Sequence, residues 1–188
     1  MINIEKINIS VIGLGYVGLP LVVEFGKKFN VVGFDLDDTR IKEVQNGYDR
    51  TNMLNEAELS ILEKIKFTTK KEDISESDIY IITVPTPVDK NNKPDLGHIT
   101  SASEIVSSFL KKNNIVIYES TVFPGCTEDI CVPLLEKGSG LKFNSDFFCG
   151  YSPERVNPGD QVNTFKSITK IVSASNDKTL DILDKLYG

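Results

Sequence analysis

The glycine-rich turn at residues 13–18 is the feature that most constrains how this chain can fold. Gly13, Gly15 and Gly18 follow directly on an apolar run at residues 7–12, and an apolar helical stretch comes next. At this spacing the first glycine permits a tight turn, the second lets the backbone approach a ligand, and the third lets the helix pack against the strand. The free N–H groups at the start of the helix then point at an anion. The motif predicts a turn that binds a pyrophosphate, and a purely structural glycine turn is the alternative.

The second predicted strand ends in an acidic residue at the spacing expected for a dinucleotide site. Asp35 stands 22 residues after Gly13, close to the offset of about 20 residues at which a carboxylate holds the ribose hydroxyls. An acid there disfavours the 2′-phosphate of NADP, so the predicted cofactor is NAD. Asp37 and Asp38 are interpreted as the start of the next helix, where acids favour the positive end of the dipole. Arg40 either flanks the adenine or neutralises a 2′-phosphate.

Short β-branched runs alternate with longer helical stretches along the chain, and this alternation decides the predicted fold class. Most predicted strands are almost continuous apolar runs, as in parallel strands covered on both faces; they lie at residues 7–12, 31–35, 78–84, 115–120, 146–150 and 168–174. Helices are predicted near residues 17–29, 39–46, 56–64, 99–112, 127–136 and 178–186. The chain is therefore predicted to be one α/β domain of Rossmann type over residues 1–188, with a doubly wound, mostly parallel sheet and helices on both faces.

Charge and cysteine content exclude several classes of protein. Among the 188 residues, 21 basic and 27 acidic side chains leave a formal net charge of −6, so neither nucleic acid nor an anionic membrane is an expected partner. Three cysteines without a CxxC pair argue against a disulfide scaffold or a zinc site and for a reducing compartment. The uncharged stretch at residues 11–23 is too short to span a bilayer. We expect a soluble, cytoplasmic protein with no metal site.

Ligands bind outside the carboxyl ends of the strands in a doubly wound sheet, and three segments are predicted to lie there. Each combines hydroxyl or charged groups with prolines or glycines; they are residues 84–87, 119–125 and 151–159. Thr86 and Thr121 are candidates to donate hydrogen bonds to a ribose or a nicotinamide, and Glu154 is a candidate acid/base or water-positioning group. From the residues alone, a loop-capping hydroxyl or an exposed carboxylate explains each of them equally well. The single histidine, His98, is given no catalytic role.

Four motifs in this order resemble the N-terminal domain of the UDP-glucose/GDP-mannose dehydrogenase family across essentially the whole chain. They are residues 9–20, residues 84–87, residues 119–122 with Pro124 and Gly125, and residues 152–159. The resemblance implies an enzyme of two Rossmann-type domains joined by a long central helix and assembled as a dimer or larger oligomer. Such enzymes oxidise the C6 hydroxymethyl group of a nucleotide sugar to a carboxylate and reduce two NAD⁺ per sugar. Capsule or lipopolysaccharide precursor synthesis is the implied pathway.

The resemblance also assigns roles to residues. The pyrophosphate would be held by Gly13, Gly15, Tyr16, Val17 and Gly18. The adenosine would face Asp35 and Arg40, and the nicotinamide half would face Thr86 and Thr121, of which Thr121 also helps hold a catalytic water. The family glutamate of the later, hydrolytic half-reaction matches Glu154, and substrate contact would begin at Glu154, Arg155 and Val156. Relatives acting on UDP-glucose usually have Phe-Leu after the glutamate, so Arg155-Val156 resembles the branch acting on UDP-N-acetylhexosamines.

The family's nucleophilic cysteine has no counterpart in this chain. The resemblance puts that cysteine in a glycine-rich segment beyond the central helix, and both that segment and the sugar-binding domain are missing from these 188 residues. Of the cysteines present, Cys126 is interpreted as a helix-cap variant and Cys131 and Cys149 as packing residues. The chain is therefore predicted to bind NAD without completing the reaction alone. Two alternatives stay open: a non-catalytic NAD-sensing module, and a two-electron dehydrogenase of the hydroxyacid type.

Overall fold

The computed structural model describes residues 6–153 and 169–188. Within them the strands are β1 (Asn8–Ile12), β2 (Asn30–Phe34), β3 (Lys66–Thr68), β4 (Ile79–Ile82), β5 (Ile115–Tyr118), β6 (Phe148–Tyr151) and β7 (Ser173–Ala174). The α-helices are α1 (Gly18–Gly26), α2 (Asp38–Gln45), α3 (Glu56–Leu62), α4 (Gly97–Ser107), α5 (Val132–Ser139) and α6 (Asp177–Tyr187). A 3₁₀ turn covers Lys71–Ile74, and a π-helical turn, Thr127–Cys131, leads directly into α5.

The strands form one sheet in the order β3-β2-β1-β4-β5-β6-β7. The first six are parallel to one another, and Val11 of β1 pairs with Gly33 of β2 on one side and with Ile81 of β4 on the other. This order confirms the predicted doubly wound sheet of Rossmann type. Two edge elements differ from the prediction. β3 is not predicted at all, and of the strand predicted at residues 168–174 the described residues 169–174 form only β7, which is antiparallel to β6.

Alternate residues of the central strands enter different halves of the core, because successive side chains of a strand point to opposite faces. Ile79 and Ile81 pack in the cluster that contains α1, α3 and α6, whereas Tyr80 and Ile82 pack in the cluster that contains α4 and α5. All four are fully buried. Both faces of the sheet are therefore covered, which explains why these strands read as unbroken apolar runs.

Side-chain caps set the starts of three helices. Asp37 accepts a hydrogen bond from the backbone N–H of Thr39 (2.9 Å) and so begins α2, which confirms the interpretation of the acidic cluster as a helix start. Asn55 begins α3 in a capping box, and Asn176 begins α6. The helix predicted at residues 127–136 is in fact a π-helical turn followed by α5, which has a proline in its first turn.

The order of the sheet reverses between β1 and β4, so the connections leaving these two strands run in opposite directions across the sheet. A crevice is expected to open there at the carboxyl ends of the strands. None of the helices that the structure describes is long and apolar enough to pass through a membrane.

Candidate dinucleotide-binding site

A cleft of about 400 Å³ opens at the carboxyl ends of β1, β2 and β4. The turn after β1 and the end of β2 line one side, and the segment after β4 with the first turns of α4 lines the other. A second cavity, of about 440 Å³, lies against α1, α6 and the 169–172 segment, and none of the three predicted strand-end segments lines it within the described residues. The first cleft is the candidate site because ligands of doubly wound sheets bind at this reversal of strand order.

The glycines of the turn meet different constraints. Gly13 has a φ of +96°, which side-chain-bearing residues rarely adopt, and its N–H donates to the Phe34 carbonyl (2.9 Å). A Cβ on Gly18 would lie 1.9 Å from the Gly13 carbonyl oxygen, so the turn closes only on glycine. A Cβ on Gly15 would meet nothing within 4 Å. The space above Gly15 is therefore open, and Gly15 also lines the cleft.

The N-terminus of α1 is suited to an anion. Val17 is its N-cap residue and no side chain caps it, nor does its first turn contain an acidic residue. The positive end of the helix dipole therefore favours phosphate oxygens here, although the Leu19 N–H already donates to the Gly15 carbonyl (3.1 Å) and Pro20 has no N–H. Together with the open space at Gly15, this is the shape and chemistry that a bound pyrophosphate requires.

Tyr16 and Val17 differ in what they can offer a ligand. The Tyr16 side chain is 40% exposed, whereas Val17 is buried and packs in the core cluster beside α1. Val17 can therefore meet a phosphate only through its backbone. The predicted contacts of both residues with the pyrophosphate stay predictions.

Thr83 is a supporting residue that sequence reasoning misses. Its hydroxyl lies 2.7 Å from the Gly13 carbonyl oxygen and 3.1 Å from that of Ile12, so it donates into the turn from the end of β4. The same hydroxyl oxygen would lie 2.4 Å from a Cβ on Gly18. Its only sequence signal is its place at the carboxyl end of a predicted strand, directly before the 84–87 segment.

Asp35 lies half-buried at the end of β2, where the spacing predicts it. One carboxylate oxygen accepts from the Leu14 N–H (2.8 Å) and the other from the Asp37 N–H (2.9 Å). These bonds hold the carboxylate against the glycine turn, and the residue lines the cleft. A carboxylate oxygen has capacity for more than one hydrogen bond, so ribose hydroxyls can still donate to it.

Arg40, which is predicted to face the adenosine, lines the cleft, and its side chain is buried among protein partners. Its guanidinium is 1% exposed; Nε donates to the Leu14 carbonyl (2.7 Å), and the two terminal nitrogens reach Asp49 (2.8 Å) and Glu43 (3.3 Å). Arg40 therefore supports the glycine turn through its hydrogen bond to the Leu14 carbonyl. Its contact with the adenosine stays a prediction. The exposed cation at this end of the cleft is Arg50, whose side chain is 43% exposed.

Asp49 is the buried carboxylate that pairs with Arg40. Burial acts to raise its pKa, but hydrogen bonds from Thr51 and Arg40 outweigh burial and hold the pKa below its usual value. The carboxylate also accepts from the Met53 N–H (2.9 Å). It therefore stays charged opposite Arg40 and fixes the loop after α2 to the same turn that the cleft is built on.

The structure brings Thr86 and Thr121 together. The Thr86 hydroxyl donates to the Thr121 carbonyl, and the neighbouring Ser120 hydroxyl donates to the Val84 carbonyl (2.6 Å). These bonds join the segments that follow β4 and β5. Thr121 is exposed, so its hydroxyl is accessible to a ligand; the roles of both threonines toward the nicotinamide stay predictions.

Three predicted site residues, Glu154, Arg155 and Val156, lie outside the described residues. The described part of that segment ends at Pro153, just after the fully buried Ser152. His98 does line the cleft, at the start of α4, where it is exposed.

The cysteines are packing residues. Cys126 and Cys131 are fully buried and Cys149 is 4% exposed. Burial raises the pKa of all three thiols, to about 12 for Cys131. The packing interpretation is confirmed for Cys131 and Cys149; Cys126 stands at the N-cap of the π-helical turn but its thiol makes no cap hydrogen bond. A thiol must ionise to act as a nucleophile, so these environments do not activate one.

A buried ion pair stands beside the 119–125 segment. The Glu119 side chain is fully buried and lies 2.5 Å from Lys170 Nζ, and the Tyr187 hydroxyl donates to its other oxygen. The ammonium also lies 5.6 Å from the centre of the Tyr187 ring. Sequence reasoning misses this contact because its members come from three distant parts of the chain.

Comparison with known proteins agrees with this geometry. The family model "UDP-glucose/GDP-mannose dehydrogenase family, NAD binding domain" matches residues 7–188. The chain is 54% identical to protein CapL of Staphylococcus aureus (96% of the chain, 42% of the relative) and 51% identical to UDP-N-acetyl-D-glucosamine 6-dehydrogenase of Pseudomonas aeruginosa (97% and 43%). The solved UDP-D-ManNAc dehydrogenase of Pyrococcus horikoshii superposes with a TM-score of 0.84 at 33% identity, over 96% of the chain and 44% of that protein. The chain thus spans less than half the length of these relatives.

Proposed function

Because the chain belongs to the UDP-glucose/GDP-mannose dehydrogenase family, we propose that it supplies the NAD-binding half of a UDP-N-acetylhexosamine 6-dehydrogenase. The observation that carries this proposal is the glycine turn with open space at Gly15, set beside the Asp35 carboxylate in one cleft. The choice of sugar rests on a relative named UDP-N-acetyl-D-glucosamine 6-dehydrogenase that is 51% identical over 97% of the chain. UDP-glucose is the other candidate sugar.

The residues of this chain bind and orient the cofactor, which accepts a hydride from the sugar's C6 carbon when bound. The positive N-terminal end of α1, which no side chain caps, and the open backbone at Gly15 hold the pyrophosphate. Asp35 accepts hydrogen bonds from the adenosine ribose, and Arg40 keeps the turn in place through the Leu14 carbonyl. The adenosine half therefore lies on the β2 side of the cleft.

The nicotinamide half lies on the β4–β5 side, by Thr86 and Thr121. Their hydrogen-bonded pair fixes the two strand-end segments relative to each other. In this proposal Thr121 also helps hold the water that later attacks the oxidised carbon, Glu154 takes a proton from that water, and Arg155 and Val156 begin the contact with the sugar nucleotide.

The thiol for the covalent step comes from outside this chain in the proposed enzyme. The cysteines here are buried with raised pKa values. We propose that the central helix, the nucleophilic cysteine and the sugar-binding domain belong to the rest of the protein, which works as a homodimer or larger homo-oligomer in the cytoplasm. Its product is an acidic sugar nucleotide for cell-surface polysaccharide.

Stoichiometry in the full-length protein tests the reaction. With UDP-N-acetylglucosamine limiting and NAD⁺ in excess, the proposal predicts two NADH per sugar. One NADH per substrate would indicate the two-electron alternative, and NAD binding with no turnover on any UDP-sugar would indicate the sensing module. Glu154→Gln should abolish steady turnover while leaving NAD affinity nearly intact, because the role proposed for Glu154 lies in the hydrolytic half-reaction.

A further inference from the structure

Arg50 is a cation at the adenosine end of the cleft that no part of the proposed function uses. It comes from the loop after α2, its side chain is 43% exposed, and it lines the same cleft as Asp35 and Asp37. We infer that Arg50, held by Asp37 and Glu43, determines how strongly this site rejects NADP in favour of NAD. The inference rests on the proposed function, since it assumes that the adenosine ribose lies by Asp35.

Two carboxylates engage the donors of Arg50. Arg50 Nη2 lies 2.8 Å from Asp37 Oδ2, and Arg50 Nε lies 3.4 Å from Glu43 Oε2. Asp37 is itself fixed, because its other oxygen caps α2 at the Thr39 N–H (2.9 Å). The guanidinium is therefore tied down by acids on the helix that follows β2.

The chemistry of the two cofactors makes this arrangement selective. NADP differs from NAD by a phosphate on the adenosine ribose, and a guanidinium is the side chain best suited to bind a phosphate through two parallel N–H donors. Asp35 repels that phosphate directly. Asp37 and Glu43 add to the rejection by neutralising and occupying the one exposed arginine at this end of the cleft within the described residues, since Arg40 is buried on Leu14 and Asp49.

The test compares two single charge removals on the same helix. Asp37→Asn keeps a side-chain oxygen to cap α2 but weakens the hold on Arg50. Asp38→Asn is the matched control: it removes the same charge from the next residue, which pairs with Lys42 (2.5 Å), is 66% exposed and does not line the cleft. Affinities for NAD⁺ and NADP⁺ are measured by isothermal titration calorimetry, and the readout is the ratio of the two dissociation constants.

Asp37→Asn should lower the ratio of the NADP⁺ to the NAD⁺ dissociation constant by about five-fold, the scale of one exposed ion pair. Asp38→Asn should change it by less than about two-fold. In Arg50→Met the Asp37→Asn substitution should no longer lower the ratio. Equal effects of Asp37→Asn and Asp38→Asn, or a gain that persists without Arg50, would overturn the inference. Absence of NAD⁺ binding by the unaltered protein would instead contradict the proposed function, so the two failures are distinguishable.

Discussion

At the scale of single residues, the glycine turn shows that residues of one type can be required for different reasons. Gly18 must be glycine because the fold leaves no room for a Cβ between α1 and the Gly13 carbonyl. At Gly15 the protein itself would tolerate a methyl group, since nothing lies within 4 Å of a Cβ there. What constrains Gly15 is therefore whatever occupies the cleft, whereas Gly18 is constrained by packing.

Alanine at these two positions should separate folding from binding. Gly18→Ala should lower the free energy of unfolding by about 3 kcal/mol, because the added methyl would lie 1.9 Å from the Gly13 carbonyl oxygen as well as 2.4 Å from the Thr83 hydroxyl. Gly15→Ala should change it by less than about 0.5 kcal/mol. Urea unfolding followed by circular dichroism measures both values. Similar losses at the two positions would show that the turn is packed differently from the structure.

The cysteines should be inert in the folded protein. Each thiol is buried and has a raised pKa, and a thiol reacts as the thiolate. None should react with a disulfide reagent at pH 8 under native conditions, and all three should react once urea unfolds the chain. A rapidly reacting thiol in the folded protein would make that cysteine a candidate nucleophile again.

At the scale of elements, the loop after α2 is joined to the glycine turn through Arg40, which pairs with Asp49 and donates to the Leu14 carbonyl. Arg40 extends from α2 to the Leu14 carbonyl and also to Asp49. The Asp49 carboxylate accepts from four further groups of the chain that follows it: the Thr51 hydroxyl and the N–H groups of Thr51, Met53 and Leu54. The loop that carries Arg50 thus depends on the same contacts that hold the turn. A substitution of Asp49 should therefore disturb both the loop after α2 and the glycine turn.

Stability should depend on pH through Asp49. Its folded-state pKa is lowered, net of burial, by hydrogen bonds from Thr51 and Arg40. A group with a lowered folded pKa stabilises the fold above its unfolded pKa of about 3.9, and this contribution is lost as the pH falls through the folded value. Asp49→Asn should therefore cost about 2–3 kcal/mol at pH 6, and the difference from the unaltered protein should shrink below about pH 4.

Urea unfolding between pH 3 and pH 7 measures that dependence. The two stability curves should run parallel above about pH 5 and converge in acid. A difference that stays constant down to pH 3 would mean that Asp49 is not the charged partner of Arg40.

The hydrophobic pattern of the sequence predicts the central strands and fails to predict the strands at the edges of the sheet. The strands with unbroken apolar runs, such as β1 and β4, are buried on both faces and so carry a clear signal. By contrast, β3 has three residues and starts with an exposed lysine, and β7 has two residues. Strands of two or three residues are too short to show an alternation of apolar and polar residues. They form because a neighbouring strand pairs with them, and that pairing is not evident from the sequence.

The same limit applies to the site. Asp35 and the three glycines can be found because they lie within one strand–turn–helix–strand unit, at a spacing that the chemistry requires. Thr83 and Lys170 cannot, because their partners Gly13 and Glu119 are 70 and 51 residues away. Spacing along the chain reports only local contacts, so the first set of residues is read from sequence and the second from the fold.

At the scale of the whole molecule, a buried cluster of Glu119, Lys170 and Tyr187 joins three segments that are distant in the sequence. Glu119 directly follows β5, Lys170 precedes β7, and Tyr187 is the last residue of α6. The Tyr187 ring also packs edge-on against Phe25 of α1, with centroids 5.6 Å apart. The segment that contains Thr121 is therefore tied to α6 and, through it, to α1.

Removing the cation from this cluster should destabilise the fold. Lys170→Met should cost about 3 kcal/mol of unfolding free energy, because it breaks a buried ion pair by removing the ammonium that lies 2.5 Å from the Glu119 carboxylate. Lys142→Met is the matched control, since Lys142 is 75% exposed and lies 3.9 Å from Glu136; it should cost less than about 0.5 kcal/mol. Chemical denaturation of both variants tests this, and equal small effects would mean that the buried pair contributes little.

The central claim is that NAD binds in the cleft above Gly15, and a calorimetric titration of NAD⁺ into the unaltered protein and into Gly15→Ala tests it most directly. The account predicts saturable binding at one site per chain in the unaltered protein. In Gly15→Ala the affinity should fall by about ten-fold or more, a loss of about 1.4 kcal/mol, while the unfolding free energy stays the same. Equal affinities in the two proteins, or no saturable binding in either, would contradict it.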